Sequence, residues 1–161
     1  MTKPGKPSVY LETSVVSYLT ARPSRDVILA GQQMATRLWW EERRQHFDVF
    51  ISRLVWEESS VGDLEAVKRR LKILQPIRWL QIDGDAGRLA GYLIKEKIIP
   101  QNAMDDALHI AIAAVHETHF LITWNFAHIN NAAIETRLRL ACEKHGFHCP
   151  VICNPEELME I

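Results

Sequence analysis

Two adjacent aspartates, Asp105 and Asp106, open an almost wholly apolar run, Ala107 to Val115, broken only by His109. Carboxylates at the head of a buried segment are costly to desolvate unless an opposite charge compensates them, and a divalent metal ion is the usual partner. Other acids have related addresses. Glu12 follows the apolar run Ser8 to Leu11 and is followed at once by Thr13 and Ser14; Glu57 or Glu58 comes shortly after the apolar run Asp48 to Ser52; Asn125 follows Phe120 to Thr123. Oxygen ligands of this kind suit Mg²⁺ or Mn²⁺. Such an ion activates water and neutralises charge building on a phosphoryl group, and phosphodiester hydrolysis needs both. The alternative is that these acids only favour the positive ends of helices. His109 shares a helix face with Asp106 at i+3 and Asp105 at i+4, so it is either a functional group or the satisfied partner of a neighbouring acid.

The elements that must position these residues read as an alternation of strands and helices. Strands are expected at Ser8–Leu11, Asp48–Ser52, Trp79–Ile82, Phe120–Thr123 and Val151–Cys153. The run Val49–Phe50–Ile51 is continuously apolar, as in a parallel strand covered on both faces. Between them lie a helix near Val15–Leu19, capped by Thr13 or Ser14, and a long helix from Asp26 to Arg44, capped by Ser24. In the long helix Ile28, Met34, Ala35, Leu38 and Trp39 recur near the helical period. Further helices are expected from Arg53, over Leu64–Leu74, from Asp83 or Asp85 to Lys97, after a cap at Asn102, and over Ala132–His145, ended by Gly146. A last helical turn starts at Asn154–Pro155. This order predicts a three-layer α/β/α fold with a mainly parallel sheet, whose strand ends share one edge where such folds place their ligands. The chain divides into a loose tail, 1–7, and a single domain, 8–161.

The 161 residues are 47% hydrophobic and 24% charged, the balance of an ordinary globular protein. No apolar run is long enough to span a bilayer, and the opening segment has no signal-peptide character, so no membrane partner and a cytoplasmic location are expected. Three cysteines fit a reducing compartment better than a disulfide framework. The net charge of −1 means that a nucleic-acid partner would have to be held by local patches or by metal. Lys68, Arg69, Arg70 and Lys72 form the densest basic cluster, and Arg22 and Arg25 lie in the loop RPSR; each is a candidate phosphate contact or a solvated face. Trp39 and Trp40 cannot both face inward from one helix side, so one is a candidate for an interface. Trp124 and Phe126 are either base-stacking or core residues, and His128 is similarly open. The stretch Cys142, His145, His148, Cys149 and Cys153 matches no zinc spacing.

Four segments together resemble the PIN-domain nucleases, especially the toxin component of VapBC-type toxin–antitoxin pairs. They are VYLETSVVSYL, ISRLVWEES, DDALHIAIAAVH and LITWNF, in that order and each beside a predicted strand. The likeness runs from Val9 to about Cys153. It implies a PIN-like fold and a metal-dependent endoribonuclease acting on RNA, with Mg²⁺ or Mn²⁺ held by Glu12, Glu58, Asp106 and Asn125. It favours Glu58 over Glu57 and Asp106 over Asp105. Ser14 belongs with the catalytic group; Thr13, Asp105, His109 and Thr123 would support it from behind. An antitoxin protein and a homodimer are the implied partners. Two positions depart from the family pattern: Glu12 and Asn125 stand where aspartates are usual. That departure raises a second possibility, a non-catalytic PIN scaffold that binds RNA or an antitoxin. A phosphorelay receiver is disfavoured, because the acid pair opens a helix and no lysine follows a later strand at the right place.

Overall fold

The computed structural model describes residues 5–160. Residues 1–4 of the expected tail lie outside them; Gly5 to Pro7 form no regular element, and the Pro7 carbonyl accepts from the Asp48 amide. β1 (Ser8–Leu11), β2 (Asp48–Ser52), β3 (Arg78–Leu80), β4 (Phe120–Ile122) and β5 (Val151–Cys153) form one sheet, all parallel, in the order β3-β2-β1-β4-β5. The steps from β1 to β2 to β3 run one way across the sheet, and those to β4 and β5 run the other way. Right-handed crossovers in opposite directions cover opposite faces, which gives the three-layer α/β/α architecture. The strand order reverses between β1 and β4, and the crevice beyond that reversal is the usual ligand position of open α/β sheets.

The helices fall into two groups. α1 (Thr13–Thr20) packs on α2 (Val27–Leu38), α3 (Arg53–Ser59) and α4 (Leu64–Leu74); α5 (Gly84–Lys95) packs on α6 (Met104–Val115) and α7 (Glu135–Lys144). α6 is buried over most of its length, including Ala107 and the whole run His109 to Ala114, so its apolar sequence reflects contact on several sides. Gly146 has φ +81, the left-handed conformation expected after α7, and the turn Pro155–Leu158 begins with a capping box from Asn154.

Several local expectations are corrected. α1 is capped by Glu12, not by Thr13 or Ser14, which lie in its first turn. α2 is capped by Asp26; Ser24 instead accepts the Asp26 amide. The buried helix starts from Ala103 without a side-chain cap, so Asn102 does not cap it. α7 starts at Glu135 rather than Ala132 because Asn131 first closes a turn onto Ala133. The long helix ends at Leu38 and continues as a π-turn, Trp39–Arg43, then a 3₁₀ turn, Arg44–His46. The wider turn lets Trp39 enter the core while Trp40 stays half-buried beneath the Arg44 guanidinium.

The face of α2 is only partly the one its apolar spacing suggests: Ala35 and the following Trp39 pack into the core, but the others do not. Val27, Ile28, Met34 and Leu38 are exposed, whereas Gln33 and Thr36 are buried. The buried polar pair is satisfied: Gln33 bonds the Ser24 amide and the Arg22 carbonyl, and Thr36 accepts from the Trp124 indole at 2.8 Å. Specific hydrogen bonds thus decide the face against the hydrophobic pattern.

Candidate metal centre

Leu11 pairs with Ile122 across the reversal point, which sets Glu12 beside Thr123. Glu12 is 6% exposed. Its chain is long enough to fold back on its own helix, so it caps α1 by accepting the Ser14 amide on Oε2 at 3.1 Å. Its Oε1 accepts from the Ser14 hydroxyl and, at 2.6 Å, from Thr123. The two hydroxyls are themselves held by backbone. Ser14 Oγ accepts the Trp124 amide at 2.8 Å and Thr123 Oγ1 accepts the Asn125 amide at 2.9 Å. The positive end of α1 adds to this favourable environment for the carboxylate.

Glu58 comes from α3, beyond the end of β2. Its Oε1 accepts from Thr13 at 2.7 Å and meets His109 Nε2 at 2.5 Å. Burial acts to raise the Glu58 carboxyl pKa, but the hydrogen bond and charge of His109, with the Thr13 hydroxyl, outweigh it and hold the group below its ordinary value. Glu57 is exposed and paired with Arg53, so it takes no part. His109 is fully buried. Its Nδ1 lies 2.8 Å from the Tyr10 hydroxyl, which lies 2.8 Å from Ser52 Oγ. Burial drives the Tyr10 hydroxyl well above its ordinary pKa, so it serves as a neutral hydrogen-bonding group.

One ligand atom each from Glu12, Glu58 and His109 lie within 4.8 Å of one another, and this trio could hold a metal ion. Asp106 is not in that trio. Its Oδ2 lies 2.9 Å from His128 Nδ1, and it borders an adjoining polar cavity of about 370 Å³ with Glu58, Asn102, Asp105 and His128. Asp105 is exposed. Asn125 is beside the site, but its Oδ1 accepts the His128 amide at 3.0 Å and so shapes the loop that carries His128. Of the four expected ligands the structure therefore gathers Glu12 and Glu58, puts Asp106 in the adjoining cavity, and turns the Asn125 oxygen to the backbone. His109, expected in support, stands among the ligand atoms instead.

Tyr10 and Ser52 are the residues that spacing missed, while His128, left open by the sequence, borders the cavity and meets Asp106. Tyr10 and Ser52 read as ordinary strand positions, and their partners lie far away in sequence; only the parallel register brings them to His109. The remaining candidates settle into structural surroundings. Trp124 is buried, stacked on Tyr18 and bonded to Thr36, while Phe126 is exposed beside it. Arg69 donates to the Thr20 carbonyl at the end of α1, and Arg70 to the Ser59 and Val61 carbonyls at the end of α3. Lys68 pairs with Glu65; Arg22 and Arg25 are exposed between α1 and α2. No cysteine belongs to a metal-type cluster among the described residues. No helix among them is long and apolar enough to cross a membrane. In comparisons with known proteins, the chain matches no family model and no curated protein sequence.

Proposed function

We infer that this chain is a divalent-metal-dependent endoribonuclease that hydrolyses RNA phosphodiester bonds, a PIN-like enzyme of the VapBC-toxin type. The observation that carries this is the meeting of Glu12, Glu58 and His109 at the sheet's reversal point, beside a polar cavity bordered by Asp106. Glu12, Glu58 and His109 would hold Mg²⁺ or Mn²⁺, with Asp106 facing the same entry. When bound, such an ion supplies a Lewis acid for the phosphoryl oxygens and lowers the pKa of water. The chain's own part is positional. Ser14, Thr13 and Thr123 fix the two glutamates, and the open cavity admits a phosphodiester to Asp106 and His128. Arg22 and Arg25, both exposed, would meet RNA phosphates, whereas Arg69 and Arg70 are engaged with helix ends. The exposed apolar residues of α2 support a protein partner, an antitoxin or a second copy of the chain. A cytoplasmic location goes with that role.

The test is cleavage of structured RNA by the purified chain with Mg²⁺ or Mn²⁺, abolished by EDTA and by Asp106→Asn while circular dichroism is unchanged. Undiminished cleavage by that variant would overturn the site assignment. A second possibility, a non-catalytic scaffold that binds RNA or an antitoxin, is favoured by the engaged state of Asn125 and by the three protein donors on Glu12. RNA binding without cleavage under every divalent ion would decide for it.

A further inference from the structure

We propose that His109 is a direct nitrogen ligand, so that this centre takes a first-row transition-metal dication of the Mn²⁺ class in preference to Mg²⁺. This rests on the metal-binding part of the function inferred above and not on RNA as the substrate.

Three observations carry it. The first is the composition of the trio: the groups that converge within 4.8 Å are two carboxylates and one imidazole. Neighbouring ligands of a six-coordinate ion with bonds of about 2.1 Å are about 3 Å apart, and opposite ones about 4.2 Å apart, so side chains gathered this closely need only small adjustments to close on one ion. Asp106, which would make the set all-oxygen, is instead bonded to His128 and stands outside the trio. An imidazole nitrogen adds affinity for Mn²⁺ and the later metals but little for Mg²⁺, which prefers oxygen.

The second is how the ring is held. His109 is fully buried, and its Nδ1 meets Tyr10, which meets Ser52. That chain fixes the ring through Nδ1 and leaves Nε2 as the nitrogen turned to Glu58. A ligating histidine characteristically has its other nitrogen tied to a fixed partner, which sets both tautomer and orientation. Nε2 and Glu58 Oε1, 2.5 Å apart, are joined by a hydrogen bond, and a cation held by both would take the place of the shared proton.

The third is which oxygens remain. The donors to Glu58, Thr13 and His109, both fall on Oε1, and Glu12 Oε1 takes both of its hydroxyls. Among the described residues nothing donates to Glu58 Oε2, and Glu12 Oε2 accepts the Ser14 amide alone. Glu58 is thus oriented through one oxygen and offers the other, while Glu12 is held through both, more lightly at Oε2.

The experiment uses the whole chain, stripped with EDTA and titrated with Mn²⁺ alone, followed by electron paramagnetic resonance, with Mg²⁺ as competitor. The expected result is Mn²⁺ binding about 100-fold tighter than Mg²⁺, with ¹⁴N modulation in the pulsed spectrum from a bound imidazole. His109→Gln removes the modulation and weakens Mn²⁺ about 100-fold while Mg²⁺ binding changes little. His128→Asn keeps the modulation. No Mn²⁺ binding, equal affinity for the two ions, bound Mn²⁺ without ¹⁴N modulation, or loss of the signal in His128→Asn would each overturn the proposal. The wild-type spectrum decides even where His109→Gln does not fold. Nitrogen-coupled Mn²⁺ in a chain that never cleaves RNA would refute the nuclease function and leave this centre standing.

Discussion

Replacing Thr123 with valine removes one hydroxyl from a fully buried position and almost nothing else, so its cost measures how firmly Glu12 is held. Thr123 Oγ1 makes two bonds, donating to Glu12 Oε1 at 2.6 Å and accepting the Asn125 amide at 2.9 Å. A hydrogen bond to a charged group contributes about 1.5–3 kcal/mol, and leaving a buried donor unpaired costs about 1–3 kcal/mol. Ser14 still donates to the same carboxylate oxygen, and Asn125 is only half-buried, so both losses fall toward the low end. The expected total is about 3 kcal/mol, which for a chain of this length lowers Tm by roughly 6–12 °C. Thr123→Ser keeps the hydroxyl and loses one buried methyl, about 1 kcal/mol. Urea unfolding in EDTA, with the midpoint compared at unchanged slope, checks both. If valine and serine variants are equally stable, or valine falls within about 0.5 kcal/mol of wild type, the hydroxyl does not fix Glu12 and the preorganised site is refuted.

Three further outcomes are expected. The Glu58 carboxyl is held below its ordinary 4.5, so its stabilising contribution is present above that pH and disappears as pH falls through the folded-state value. In EDTA the gap in urea midpoint between wild type and Glu58→Gln should therefore shrink below pH 4.5; a gap constant with pH contradicts this. Among the thiols, Cys149 is half-buried, with a pKa lowered chiefly by its hydrogen bond with Cys142, whereas Cys153 is buried and pushed up to about 12. Ellman's reagent at pH ~8 should thus modify one thiol fast in the native chain, and that phase should vanish in Cys149→Ser. Gly146→Ala, at φ +81, should cost about 1 kcal/mol in urea unfolding through backbone strain alone, since no atom lies within 4 Å of the added carbon.

The inner strands were legible because a covered parallel strand writes a short apolar run; the edge strands β3 and β5 are partly exposed, yet all five runs became strands within a residue or two of their expected limits. The place of Glu12, just past β1, and of the helix after β2 that carries Glu57 and Glu58 followed from the same logic, whereas the preference for Glu58 came from the family resemblance. What stayed hidden depends on partners far apart in the chain. The outward turn of Ile28, Met34 and Leu38 reflects bonds from Gln33 and Thr36 to Arg22, Ser24 and Trp124, which no helical period encodes. The basic cluster looked like one patch because its members are adjacent in sequence. In the fold, Arg69 and Arg70 each close a different helix.

The same limit explains the exchange of Asp106 for His109. The two are three residues apart on α6 and share a face, so sequence spacing cannot rank them. Depth does. His109 lies about one turn farther into a helix that is buried from that point on, and the parallel register of β1 and β2 delivers Tyr10 and Ser52 to its outer nitrogen. Asp106 lies at the half-exposed entry with His128. Glu58 is the one residue common to both, touching His109 and bordering the cavity. The candidate centre therefore has a closed inner part, fixed by hydrogen bonds, and an outer part open to solvent. Substitutions at His109 and Asp106 should separate accordingly: the first acts on metal affinity, and the second on cleavage more than on affinity, although the two side chains stand less than one helical turn apart.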